Sequence, residues 1–300
     1  MTHPARREFL AAGIAAAAAS ALRAQPAPLP ILDIHQHTDY SGRSDAHMLT
    51  HQDVMGITKT VLLPAGRDFG LEAHASGNDR VWEICEKFPA KYICFANEVP
   101  YYDDARQVME KYLKRGARGI GEQKFFLDPG SKHMDNLAGL AQEYSAPILL
   151  HFQHERYNIK FDQFYKVLEK FPKVNFIGHA QTWWANIDRE HEFEQATLYP
   201  KWKVTPGGWT DRYLKDYPNM YADLSAGSGL NAFQRDEAQG KAFIERHQDK
   251  LLYGSDCSDV VGTGPKCSGS QQIAMMKKLA SPAVQKKIFW DNAARIIRVS

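Results

Sequence analysis

Residues able to bind a metal ion and activate a water recur in this chain wherever an apolar run ends. Leu29-Pro30-Ile31-Leu32 leads into Asp33-Ile34-His35-Gln36-His37, Pro147-Ile-Leu-Leu150 into His151, Val174-Asn-Phe-Ile-Gly178 into His179, and Leu251-Leu-Tyr-Gly-Ser255 into Asp256. Alternate residues of a strand share a face, so Asp33, His35 and His37 are expected to point together. A lone histidine is usually a packed or surface residue. The repetition at strand ends is what points to a metal site. Imidazole and carboxylate donors suit Zn²⁺, with Mn²⁺, Fe²⁺ and Co²⁺ open by ligand type. Three or four such ligands leave a position for water, whose pKa the ion lowers to about 7. Asp33 is expected to orient its neighbours rather than to ligate.

The elements that must position these groups alternate regularly. Strand-like runs lie near 29–35, 58–64, 91–98, 117–126, 147–152, 173–179, 219–225 and 250–256. Amphipathic stretches such as 104–113 and 161–170 separate them, with apolar residues at three- and four-residue spacing. Eight such repeats in residues 25–300 predict one α/β domain, a (β/α)8 barrel of the TIM type, whose strand ends converge on one bowl. A doubly wound sheet would want a glycine-rich turn after the first strand, where His35-Gln36-His37 stands instead. The long connection after His179, rich in tryptophan, is expected to overhang the mouth of the bowl.

These motifs resemble the amidohydrolase superfamily, and within it the amidohydrolase-related (type 2) branch. The resemblance covers roughly residues 29 to 298 and includes Asp33-Ile-His-Gln-His37, Ile148-Leu-Leu-His151, Phe176-Ile-Gly-His179, Leu251-Leu-Tyr-Gly-Ser-Asp256 and Trp290-Asp-Asn-Ala-Ala-Arg295. It implies that His35, His37 and His151 are metal ligands. It also implies that Asp256 is a carboxylate that both touches the metal and moves a proton, and that His179 is either a second-metal ligand or a polarising acid/base. Strand four carries Glu122 and Lys124 two residues apart. In two-metal members a carboxylate or a carboxylated lysine from this strand bridges the ions, and Gly119-Ile-Gly-Glu122 is similar to the frame of TatD-type deoxyribonucleases. A Glu122–Lys124 pair that binds substrate or neutralises itself is the alternative.

The chemistry expected is attack of an activated water on an ester, lactone or amide of a small substrate, with Asp256 moving the proton and His179 steadying oxyanion charge. Arg67, Lys124 and Trp183 are candidate substrate contacts, with Trp184 beside the last. Asp223 and Ser225 on strand seven, and Asn97 and Glu98 on strand three, are further candidates. His154, His74, His133 and His191 are not expected to ligate. The resemblance extends to metal-dependent decarboxylases, similar to aminocarboxymuconate-semialdehyde decarboxylase, so a lyase is the rival reading. A TatD-like nuclease is third. The formal charge is +2, and Arg6, Arg7 and Arg23 against Glu8 supply that excess, leaving 34 basic and 34 acidic residues in 25–300. That balance gives a polyanion no footing, so no nucleic-acid partner is expected.

Residues 1–24 read as a twin-arginine signal peptide: Arg6-Arg7 precedes an alanine-rich run too short for a stable membrane anchor, with cleavage after Ala21 or Ala24. The expected partner is the twin-arginine export machinery, and the expected compartment is the periplasm. A homo-oligomer is left open. Cys85 with Cys94, or Cys257 with Cys267, could bridge after export, and free thiols are the alternative.

Overall fold

Aliphatic and β-branched runs buried on both faces form eight short parallel strands, as expected where helices cover a sheet. They are β1 (Leu32–Gln36), β2 (Lys59–Leu62), β3 (Tyr92–Cys94), β4 (Ile120–Gln123), β5 (Ile148–His151), β6 (Phe176–His179), β7 (Met220–Asp223) and β8 (Leu251–Leu252). Each overlaps an expected run. The computed structural model describes residues 28–68 and 74–299. The expected twin-arginine signal, residues 1–24, lies outside the described residues.

The strands form two ladders, β1-β2-β3 and β4-β5-β6-β7-β8. A parallel bridge between Ala96 and Ile120 joins the ladders on one side. On the other, Ile34 N donates to Tyr253 O at 3.1 Å and Asp256 N to His35 O at 2.8 Å. The sheet therefore closes, and the (β/α)8 barrel expected from the alternation is the fold. Among the described residues no helix is long and apolar enough to cross a membrane.

The interior is packed by Leu32, Ile34, Val61, Leu63, Phe95, Leu149, Ile177, Tyr221 and Leu252, with Ala293, Ile296 and Ile297 of the last helix, Asn292–Ile297, packed against them. A larger shell, including Leu62, Ile120, Ile148, Leu150, Phe176 and Met220, sits between strands and helices. The β1 register corrects the expected alternation. An irregularity between Asp33 and Gln36 adds one residue to β1 relative to β2. Leu32 and Ile34 thus face the interior, and so do His35 and His37 beyond the bulge. Asp33 faces the other way, toward Gln52 of the helix Asp45–Val54.

Cys85 and Cys94 are disulfide-bonded, tying the helix Asn78–Lys87 to β3, whereas Cys257 and Cys267 are buried free thiols. The expected helix over 161–170 divides into a 3-10 turn at Phe161–Gln163 and a helix at Tyr165–Lys170.

Trp183 is fully buried. It lies against β6 at Gly178, where a Cβ would fall 2.3–2.6 Å from its indole ring. Gly178→Ala should therefore destabilise the fold by about 1–3 kcal/mol through overpacking. Gly139 lies within the helix Lys132–Tyr144 and has open space at its Cβ position. Gly139→Ala should stabilise by about 0.4–1 kcal/mol. Denaturant midpoints of the two variants measure both, and equal shifts would contradict this account of the Gly178–Trp183 contact.

Candidate active site

Strand ends deliver His35 and His37 from β1, Glu122 from β4, His151 from β5, His179 from β6 and Asp223 from β7, while Asp256 follows β8. All are buried except Asp256, whose side chain is 13% exposed. The imidazole tautomers follow from their partners. His35 Nδ1 lies 2.6 Å from Asp223 Oδ2 and His37 Nδ1 2.8 Å from the Leu63 carbonyl. His179 Nδ1 lies 3.0 Å from Ser225 Oγ and 3.2 Å from Asp223 Oδ2. Each Nδ1–H donates outward, which turns the Nε2 lone pair toward the bowl.

These lone pairs converge with carboxylate oxygens. His35 Nε2 and His37 Nε2 are 3.1 Å apart. Glu122 Oε2 is 3.7 and 3.5 Å from them, and Asp256 Oδ1 is 3.7 Å from both. His179 Nε2 is 3.7 Å from Glu122 Oε1 and 3.6 Å from Asp256 Oδ2. Donors about 2.0–2.2 Å from one ion at tetrahedral angles stand about 3.3–3.6 Å apart, so the cluster has the spacing of atoms that share a cation. Three overlapping groups meet this condition: His35-His37-Glu122, His35-His179-Asp256 and Glu122-His151-His179. Among the described residues, buried Asp256 Oδ1 and His151 Nε2 have no hydrogen-bond partner. The residues present fit a divalent cation.

The electrostatics agree. Burial works against the charge on Glu122, yet His151 and His35 hold its carboxyl well below the usual range. Burial likewise opposes Asp256 and Asp223, and the histidines around them win, keeping both ionised. Burial disfavours a charged His35, but Asp256, Asp223 and Glu122 raise its pKa well above the ordinary value. His37, by contrast, is pushed down to about 4 by burial and by its neighbour His35. Three ionised carboxylates in a dry pocket make a strong cation attractor.

The structure brings together His35, His37, Glu122, His151, His179 and Asp256. Glu122 turns its oxygens to histidines, and His151 Nδ1 sits 2.6 Å from Glu122 Oε1. Lys124 is half-buried, with its ammonium 5.5 Å over the Tyr157 ring, which in turn meets the His151 ring edge-on. Arg67 stands elsewhere, half-exposed and paired with Asp104 and Glu98. Trp183 is fully buried in the core, and the cavity beside the site is bordered by its neighbours Phe161 and Thr182. Asn97 bonds the carbonyls of Pro64 and Glu122, fixing the ends of β2 and β4. Asp33 accepts from Ser255 N (2.8 Å), Ser255 Oγ (2.5 Å) and His35 N (3.1 Å). It therefore ties β1 to β8, and burial pushes its pKa up to about 6.

Tyr40 escaped the sequence reading. Its ring meets His37 edge-on, and its hydroxyl bonds Asp256, whose charge raises the phenol pKa. The signal was an aromatic hydroxyl three residues past the HxH pair. Beside the cluster is a cavity of about 740 Å³, bordered by Phe126, His154, Asn158, Thr182, Phe193 and Trp209. Asn158 links the two by donating to the His151 carbonyl at 2.8 Å. The excursion after His179 thus walls a cavity.

The family model described as Amidohydrolase matches residues 33–299. An uncharacterized TIM-barrel protein from Bordetella bronchiseptica superposes with a TM-score of 0.64 at 14% identity, covering 90% of this chain and 99% of that one. A probable 2-pyrone-4,6-dicarboxylic acid hydrolase from Acinetobacter baumannii gives 0.59 at 13%, covering 89% and 99%. A 2,6-dihydroxybenzoate decarboxylase from Rhizobium gives 0.52 at 15%, covering 90% and 98%. At these identities the likeness concerns the fold. No curated protein matches significantly.

Asp223 sets the tautomers of His35 and His179 without facing the shared point. Asp223→Asn should weaken metal binding about 10–100-fold, as loss of a ligand-orienting partner does. Competition against a chelator measures this, and unchanged affinity would remove that role from Asp223.

Proposed function

The chain belongs to the amidohydrolase family, and from that premise we propose that it is a metal-dependent hydrolase acting on an ester, lactone or amide of a small substrate. One observation carries the reading: the Asp256 carboxylate stands 3.6–3.7 Å from the Nε2 atoms of His35, His37 and His179, with Oδ1 unpartnered. His35, His37, His151, Glu122 and His179 would hold one or two divalent ions with Asp256, Zn²⁺ first by donor type. Bound there, the ion would acidify a water and polarise a carbonyl.

Asp256 takes the proton of the attacking water and returns it to the leaving group. The histidines around it overcome the cost of burial and keep Asp256 ionised, the form able to accept that proton. Where His179 is not a ligand, its imidazolium, opposed by burial and His35 but favoured by Asp223 and Asp256, would donate Nε2–H to the developing oxyanion while Ser225 and Asp223 fix the ring. Tyr40, a hydrogen-bond partner of Asp256, is the group we assign to keeping that carboxylate aimed. Lys124, near the His151–Tyr157 wall, is the cation we assign to an acidic group of the substrate; Arg67, engaged by Asp104, is a weaker choice.

A decarboxylase is the second reading, and the mutual spacing of the donors, compatible with one shared ion, favours it. Against it, Glu122 puts a further negative charge where a substrate carboxylate would have to sit. We further propose export by the twin-arginine route into the periplasm. The Cys85–Cys94 disulfide suits an oxidising compartment.

Asp256→Asn should lower kcat by about 10²–10⁴-fold, the usual worth of a positioned acid/base, with little change in KM. Retained turnover would sink the mechanism. Metal stoichiometry, with assays of hydrolysis and CO₂ release over small lactones, esters, amides and aromatic acids, separates the two reactions. One ion with CO₂ as product would replace the hydrolase by the lyase. For export, Lys-Lys in place of Arg6-Arg7 should retain the protein in the cytoplasm; an unchanged periplasmic yield would reject that route.

A further inference from the structure

A second convergence of donors lies away from the bowl. His51 belongs to the helix Asp45–Val54, and Met55 caps that helix one turn later on the same face. Cys257 directly follows Asp256, and Cys267 caps the helix Ser268–Leu279. All four are buried. Cys257 Sγ and Cys267 Sγ are 3.7 Å apart, His51 Nε2 is 3.4 Å from Cys267 Sγ, and Met55 Sδ is 3.6 Å from the same sulfur.

We infer that His51, Cys257 and Cys267, with the Met55 thioether beside them, form a second metal site for a thiophilic closed-shell cation, Zn²⁺ or Cu⁺. Two thiolates on a shared ion at about 2.3 Å stand about 3.8 Å apart, and a thiolate and an imidazole about 3.5 Å. The observed separations are those of a tetrahedral edge. A disulfide would need the sulfurs at about 2.05 Å and gives the converging imidazole and thioether no part. Sulfur donors with one imidazole and no carboxylate select soft ions over the harder divalent cations suited to the bowl. The Cys267 sulfur also accepts the Ser270 amide at 3.3 Å at the start of a twelve-residue helix.

The site is closed and carries no chemistry of its own. Its effect is on the segment 257–267, which it would fasten to the first helix. The Cys257 carbonyl already accepts from Gln36 Nε2 at 2.8 Å and Arg43 Nη1 at 2.7 Å. An ion on the Cys257 side chain would add a third hold on the residue beside Asp256.

The test uses the full chain, reduced and loaded anaerobically with Co²⁺ as the zinc probe and, separately, with Cu⁺. The bowl contains no sulfur donor, so a near-ultraviolet thiolate-to-Co²⁺ charge-transfer band reports a cysteine site, and its dependence on Cys267 distinguishes this one from the thiols of Cys85 and Cys94. The wild-type protein should show the band, and Cys267→Ser should lose it while keeping the visible Co²⁺ absorption of the bowl. By elemental analysis the wild type should hold one equivalent more than Cys257→Ser/Cys267→Ser, and whether the excess is zinc or copper identifies the ion. A wild-type protein with neither the band nor Cu⁺ uptake overturns the inference, whatever the variants do. So does a Cys257–Cys267 disulfide in the protein as isolated, read as a two-dalton mass deficit at these cysteines.

Discussion

Two imidazole lone pairs aimed at one point, 3.1 Å apart and sealed from water, form the contact that the surrounding structure is arranged to hold. When both rings are neutral, with their Nδ1–H groups engaged by Asp223 and Leu63, His35 and His37 turn two lone pairs on each other and have no proton to share. Left to themselves the rings would turn apart. The carboxylates of Glu122 and Asp256 meet them from opposite strands and bring negative charge that only a cation or a proton can balance. The cost of burying these groups singly is high. Together they form a site whose stability depends on what it binds.

Holding that point requires departures from regular strands. The bulge in β1 sets His35 and His37 inward after Leu32 and Ile34, and the register of β4 slips by one residue between Ile120 and Gln123, at Glu122. Bulges re-aim side chains next to active sites, and here the two strands that carry one contribute three of the donors. Asp256 lies just past β8 with φ at 39°, a conformation that non-glycine residues rarely adopt. Its amide bond to His35 O and the Asp33–Ser255 pair hold the segment in place. Ligand geometry and barrel closure are thus one set of contacts between β1 and β8.

Much of this was legible in the chain, and the lapses have physical causes. His151 and His179 follow apolar runs with regular alternation, so their strand ends could be read directly. Asp33 could not, because its parity is reversed by a bulge that no residue of the pentapeptide signals. Asp223 obeys the same strand-end rule as the ligands, and its position was visible. What the sequence hides is that it faces two Nδ1 atoms instead of the shared point. Trp183 read equally well as pocket wall or core. Only its contact with the bare backbone of Gly178 decides, and that lies across a helix start. Arg67 sits at a strand end but is drawn off by Asp104, a partner 37 residues away. Long-range partners of this kind leave no local trace.

The end of β8 shows how tightly the two halves of the barrel are joined. A Cβ on Gly254 would fall 2.3 Å from Asp223 Oδ1 and 3.0 Å from both His35 Cβ and Ser225 Cβ. The approach of β7 to β1 that lets Asp223 reach His35 therefore runs through the space where any other residue would carry a side chain. The bare backbone at 254 lets a carboxylate of one ladder fix the tautomer of a histidine in the other. Immediately downstream, Ser255 answers to Asp33, Asp256 to the imidazoles, and the Cys257 carbonyl to Gln36 and Arg43. Four consecutive residues each meet a different group, and none can shift along the chain without displacing the rest. The two residues of β8 suffice because the backbone bonds of Tyr253 and Asp256 to β1, together with these side-chain contacts, continue the strand.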